Sequence, residues 1–93
     1  MVNIHRNGDY GQMLEELSDM DEGILELVRA RVKLFRKNPE DTRLDNHPLH
    51  KRMKGKWAFS VDRDIRIVYE WVGKTTVRFV AIGRHEAVYK KSS

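Results

Sequence analysis

An α+β fold, with an N-terminal helical hairpin packed on a twisted, mainly antiparallel sheet of three to four strands, is what this 93-residue sequence predicts. Three observations lead there. Apolar residues recur at helical spacing up to about Phe35, and the period changes to two after Pro48. The later runs are rich in β-branched and aromatic residues and are divided by turn-forming ones. No repeat, low-complexity tract or linker interrupts the chain, and its length suits one small core spanning residues 1–93.

The helices come first. Tyr10, Met13, Leu14 and Leu17 fall at i, i+3, i+4 and i+7, giving a short helix that breaks around Ser18-Asp19-Met20-Asp21. Asp21 is read as the N-cap of a second helix. Its apolar stripe is Ile24, Leu25, Leu27, Val28, Val32, Leu34 and Phe35, with Arg29, Arg31, Lys33, Arg36 and Lys37 elsewhere, until Asn38-Pro39 stops it. Gly23 weakens its start slightly.

Strands follow. Trp57-Ala58-Phe59-Ser60-Val61 alternates large and small side chains, and Ile65-Arg66-Ile67-Val68-Tyr69-Glu70-Trp71 repeats the alternation after a tight turn at Asp62-Arg63-Asp64. Val72-Gly73-Lys74 leads into a third strand over residues 75–82. The three make an antiparallel meander, with Val2-Asn3-Ile4 as a further edge strand and Lys90-Lys91-Ser92-Ser93 as a tail.

Composition excludes several chemistries. The chain has no cysteine, so disulfides, thiolate nucleophiles and thiolate-bound zinc are ruled out, in keeping with a reducing interior. The first 30 residues hold acidic side chains and no long apolar run, so neither a secretory core nor a membrane span is expected and the cytoplasm is the default location. Charge is unevenly divided. Residues 1–42 carry six Lys/Arg against nine Asp/Glu, whereas residues 43–93 carry twelve against five, so the C-terminal half is the basic one. Such asymmetry points to a polyanion or an acidic partner meeting one face.

Two segments bear reactive side chains. His47-Pro48-Leu49-His50-Lys51-Arg52 precedes the strands, and Val80-Ala81-Ile82-Gly83-Arg84-His85-Glu86-Ala87-Val88-Tyr89 ends the last one with an imidazole and a phenol. If the strands pair, both converge on Arg66, a trio that suits metal-free RNA cleavage. Imidazole titrates near neutral pH, and guanidinium grips phosphate oxygens with paired donors. Pro48 keeps His47 and His50 off a common helix and no third ligand follows nearby, so no metal and no cofactor is expected.

The order of these motifs resembles the RelE/ParE superfamily of bacterial toxins. It is carried by His47-Pro48-Leu49, then Met53-Lys54-Gly55-Lys56-Trp57-Ala58-Phe59-Ser60-Val61, then Asp64-Ile65-Arg66-Ile67-Val68-Tyr69, then Ile82 to Tyr89, about half the chain. Histidines at 47, 50 and 85, where parent RelE members rely on lysines and arginines, bring it closest to the RelE/YafQ-type mRNA interferases. The resemblance implies a type II toxin that cuts mRNA in the ribosomal A site without metal and is silenced by a cognate antitoxin, with toxin-antitoxin heterotetramers among its assemblies.

Site residues carry over on the same basis. Arg66 matches the arginine aimed at the scissile phosphate, His85 the general acid, and Tyr89 an aromatic that stacks on a base or contacts phosphate. His50, slightly preferred over His47, is the expected general base. Lys51, Arg52, Lys54 and Lys56 are expected to bind RNA phosphates, or to receive the antitoxin. Asp64 is either a further acidic site residue or a turn former, and Trp57 is expected in the core. The alternative within the superfamily is a ParE-like toxin that binds DNA gyrase without cutting RNA, or an inactive homologue that retains only antitoxin binding.

Overall fold

The computed structural model describes residues 1–84, and His85 and Tyr89 lie outside the described residues. Two helices, α1 (Gly8–Met20) and α2 (Ile24–Lys37), follow a short strand β1 (Asn3–Arg6). Asn7 caps α1 by accepting a hydrogen bond from the Tyr10 amide at 2.8 Å. The expected N-cap of the second helix is displaced. Asp21 closes the C-terminus of α1, its amide donating to Leu17 O, while its side chain accepts from the Gly23 amide at 3.0 Å. Gly23 is the residue that precedes α2. An aspartate two residues before a glycine satisfies the turn itself, so the carboxylate is used before the helix begins.

Four more strands complete the sheet: β2 (His47–Pro48), β3 (Lys56–Ser60), β4 (Ile65–Trp71) and β5 (Thr76–Arg84). Their spatial order is β1-β5-β4-β3-β2. The β3–β4–β5 meander is antiparallel as predicted. The strand count of three to four is an underestimate, because the segment at His47, expected as loop, pairs with Trp57 and Ala58 as an edge strand. The N-terminal strand does lie at the other edge, and it runs parallel to β5. The sheet is therefore mixed.

Alternation along the strands sorts side chains to two faces. Phe59, Ile67, Tyr69, Phe79 and Ile82 meet the helices, and all are at most 1% exposed. Phe35 of α2 is the hub of this core. Its ring stacks on Phe59 at 4.5 Å and meets Tyr69 and Phe79 edge-on at 4.9 and 5.9 Å. Tyr10 of α1 packs on Phe79 at 5.3 Å, which fixes the first helix over β5. Burial pushes the phenols of Tyr10 and Tyr69 up to about 12, despite Arg6 beside the first and a hydrogen bond to Asn46 from the second.

The opposite face is written by the register. Ser60, Arg66 and Gly83 form one cross-strand row, and His47, Ala58, Val68 and Ala81 form the next. A third row holds Lys56, Glu70, Arg78 and His5. A bulge keeps this last row together. Val68 pairs with Ala81 and Tyr69 with Phe79, so Val80 is taken up as an extra, unpaired residue and Arg78 stays opposite Glu70.

Candidate functional site

The β3–β4 turn is built from its own polar groups. Asp62 accepts hydrogen bonds from the amides of Asp64 and Ile65 at 2.9 and 2.7 Å, and Val61 N donates to Ile65 O at 2.9 Å. This leaves turn carbonyls facing the start of β4. Arg66 Nη1 donates to Asp62 O at 3.0 Å and to Arg63 O at 3.2 Å, with a longer 3.5 Å contact to Ile65 O. The guanidinium is thus held by one nitrogen. Among the described residues nothing accepts from Nε or Nη2, the edge that matches two phosphate oxygens. Ile65 and Ile67 on either side are buried in the core, as alternation requires.

His47 is positioned from both directions. Its backbone pairs with Ala58, and its Nδ1 lies 2.7 Å from the carbonyl oxygen of Asp45. A carbonyl only accepts, so Nδ1 carries a proton, and the tautomer this contact selects leaves Nε2 as the acceptor, the form a general base requires. The preceding residue is tied down as well. Asn46 Oδ1 accepts from the buried Tyr69 hydroxyl at 2.8 Å, and its Nδ2 donates to Pro39 O at 2.9 Å.

The basic loop lies beyond β2. His50 is exposed and precedes a single 3₁₀ turn, Lys51–Met53. Buried Met53 anchors it, and Leu49 N donates to Lys56 O at 2.8 Å to close it. Lys51 has φ 60 and Gly55 φ 92, so the loop turns through two left-handed residues. Lys51, Arg52 and Lys54 are exposed, and Lys56 is half-buried at the start of β3.

The structure brings His47, Lys56 and Arg66 onto one face of the sheet. From strand spacings, the His47 and Arg66 backbones lie about 7 Å apart along the strands and about 10 Å across them. His50 is carried away from Arg66, past the Lys56 row, because β2 and β3 run in opposite directions. Asp64 is exposed and engages Arg84 at 3.2 Å at the end of the sheet. Trp57 is half-buried against the core, as predicted. The sequence reading missed Glu70, Arg78 and His5, which share the face with Arg66. Parity along β4 was enough to find Glu70, whereas Arg78 sits before the bulge and His5 on a strand whose partner no local pattern names.

A groove of about 990 Å³ lies elsewhere, between β1 and the helices, lined in part by Ile4, Arg6, Leu14, Val28, Arg29 and Val32. It contains neither Arg66 nor His47. The paired donors of Arg66 and the imidazole of His47 stand on the sheet face instead.

No family model and no curated protein matches the sequence. Solved structures do. YafQ from E. coli strain BL21(DE3) superposes with a TM-score of 0.78 at 20% identity, covering 96% of this chain and 99% of that one. A YoeB/ParE toxin from Agrobacterium tumefaciens gives 0.75 at 16% identity, over 90% and 99%. The fold is that of the YafQ and YoeB/ParE toxins. A metal-bound toxin from Helicobacter pylori also superposes, with a TM-score of 0.78 at 21% identity over 95% of this chain and 99% of that one. YafQ has also been solved in complex with DinJ, and that structure matches at 0.76 with 20% identity, over 96% and 99%. In this chain's version of the YafQ-type fold, no three His, Cys, Asp or Glu side chains cluster to hold a metal among the described residues, and no helix there is long and apolar enough to cross a membrane.

Proposed function

We propose that this chain is a cytoplasmic toxin of a type II toxin-antitoxin pair, an endoribonuclease that cuts mRNA in the ribosomal A site by metal-free acid-base catalysis. The observation that carries this reading is Arg66, held by turn carbonyls through Nη1 with no acceptor at its Nε and Nη2 edge among the described residues, on the same sheet face as His47 and Lys56. An imidazole takes the proton from the ribose 2′-hydroxyl, and the 2′ oxygen attacks the adjacent phosphorus. Arg66 stabilises the charge that gathers on the phosphorane oxygens. The P–O5′ bond then breaks as an acid protonates the departing oxygen, leaving a cyclic phosphate and a free 5′-hydroxyl.

Roles follow from position. The base is His47 or His50, and the strand register favours His47. His85 is the proposed acid and Tyr89 the proposed stacking or phosphate contact, both by motif match alone. Lys51, Arg52, Lys54 and Lys56 hold RNA phosphates in a salt-dependent manner. The partner is a cognate antitoxin, as DinJ is for YafQ, with the ribosome and its mRNA as target.

Induced expression followed by mapping of mRNA 5′ ends tests the reading, with Arg66→Ala and His85→Ala as controls. Codon-registered cuts in the parent and none in the variants support it. The YoeB/ParE-type neighbour motivates one rival, a gyrase poison, for which the same cells would show trapped gyrase-DNA breaks and intact mRNA.

A further inference from the structure

Glu70 is out of place on a surface meant for RNA. Among the described residues it is the only acid in the three cross-strand rows opposite the helices, and it stands between Lys56 on β3 and Arg78 on β5. Its carboxylate lies 3.4 Å from Arg78 Nε, with the two side chains 32% and 47% exposed. A half-exposed pair of this kind contributes little to stability. A carboxylate facing a polyanion also weakens binding unless the nucleic acid offers it hydrogen-bond donors.

Nucleobases offer such donors, and one offers the right set. The Watson–Crick edge of guanine presents two adjacent N–H donors, N1 and N2, beside the O6 acceptor. A carboxylate accepts the first two, and a cation next to it donates to the third. Cytosine presents its amino donor beside N3 and O2, adenine its amino donor beside N1, and uracil a single N3–H between two carbonyl oxygens, so in each a carboxylate meets an acceptor that repels it. We infer that Lys56, Glu70 and Arg78 form a guanine-reading subsite on the sheet face, with Glu70 as the specificity-determining residue and Arg78 holding its carboxylate in place.

The subsite deepens the nuclease reading and rests on it. Glu70 and Arg66 are four residues apart on β4, about 13 Å along the strand, so the guanine read is not the nucleotide that carries the attacked phosphate. The position fixes an offset between the base read and the bond cut. It also explains the bulge functionally, since with Val80 paired in regular register the side chain of Arg78 would fall on the other face.

The test uses ribosomes programmed with messages that carry guanine, adenine or inosine at each position around the cut. Inosine keeps N1–H and O6 and lacks the N2 amino group. The intact protein is expected to favour guanine at one fixed offset by about tenfold over adenine and to lose part of that preference with inosine. Glu70→Gln, which offers one acceptor where the carboxylate offers two, is expected to bring guanine, inosine and adenine to within about twofold of one another. Absence of a guanine preference in the intact protein, or its retention in Glu70→Gln, overturns the subsite and leaves the nuclease reading intact. No cutting of any message by the intact protein overturns both.

Discussion

Replacing Arg66 by alanine separates the chemistry from the fold, because the two effects have different sizes. Removing one preorganised donor to a developing oxyanion costs about 10² to 10³ in rate, and Arg66 presents two N–H groups on its Nε–Nη2 edge. A loss of at least about 10²-fold in the rate of mRNA cleavage is therefore expected. The structural cost is smaller. The two bonds from Nη1 to Asp62 O and Arg63 O go to a partly exposed turn, where water replaces them, so together they contribute about 1 to 2 kcal/mol. A chain of 93 residues has a total of about 5 to 14 kcal/mol to draw on, so the variant stays folded. Arg66→Lys keeps the charge and loses both the fork and the tether to the turn, and is expected to recover only a minor part of the rate. The assay is cleavage of a defined message on purified ribosomes, with urea unfolding of each variant beside it. A folded Arg66→Ala protein that cuts within about threefold of the parent would remove the guanidinium from the mechanism.

Other expectations bear on the frame and the loop. Phe35→Ala empties the site among three aromatic rings and is expected to lower unfolding stability by about 3 to 5 kcal/mol, read from a urea midpoint. Gly55→Ala meets no atom within 4 Å, so its cost of about 1 kcal/mol comes from the φ of 92 alone, and Gly55→Asn should cost less. Tyr10 and Tyr69 ionise near 12 in the folded state and near 10 when unfolded, so the unfolded chain releases protons first as pH rises. Stability is then full below about pH 10 and falls between 10 and 12, with phenolate absorbance rising together with loss of helical circular dichroism. Neutralising Lys51, Arg52 and Lys54 one at a time should lower the slope of log affinity for single-stranded RNA against log salt by about 0.7 per residue, and an unchanged slope would place RNA elsewhere.

What could be read from the chain depended on how local the signal was. The helices, the β3–β4–β5 meander and the outward position of Arg66 come from periodicities contained in each segment, and the structure reproduces them. The parallel β1–β5 pairing joins residues more than 70 positions apart, with no local mark to say which edge an N-terminal strand chooses. Strand β2 was missed because two residues are too few for a period, and because Pro48 reads as a loop when its strand is an edge strand that needs no amide there. Glu70 and Arg78 drew no notice for a different reason: a charged residue on a strand is ordinary until the register shows what stands beside it.

The register also bears on which histidine begins the reaction. Catalytic groups need placing to within a fraction of an ångström, and side chains on paired strands are placed better than those on loops. His47 meets that standard through its ladder pairing with Ala58, the Asp45 carbonyl at Nδ1, and the Tyr69-Asn46-Pro39 relay behind it. His50 is exposed at the entry to a 3₁₀ turn whose first residue has positive φ, and no described side chain holds its ring. A gap of about 10 Å across two strands lets a guanidinium from Arg66 and an imidazole from His47 approach one phosphodiester from opposite sides without touching each other. Under the proposed mechanism, that arrangement suits His47 as the base, with His50 in the basic loop. Tyr69→Phe then becomes the discriminating substitution: it releases Asn46 without touching either histidine, and lowers kcat more than it raises KM only if the ring it steadies is the working one.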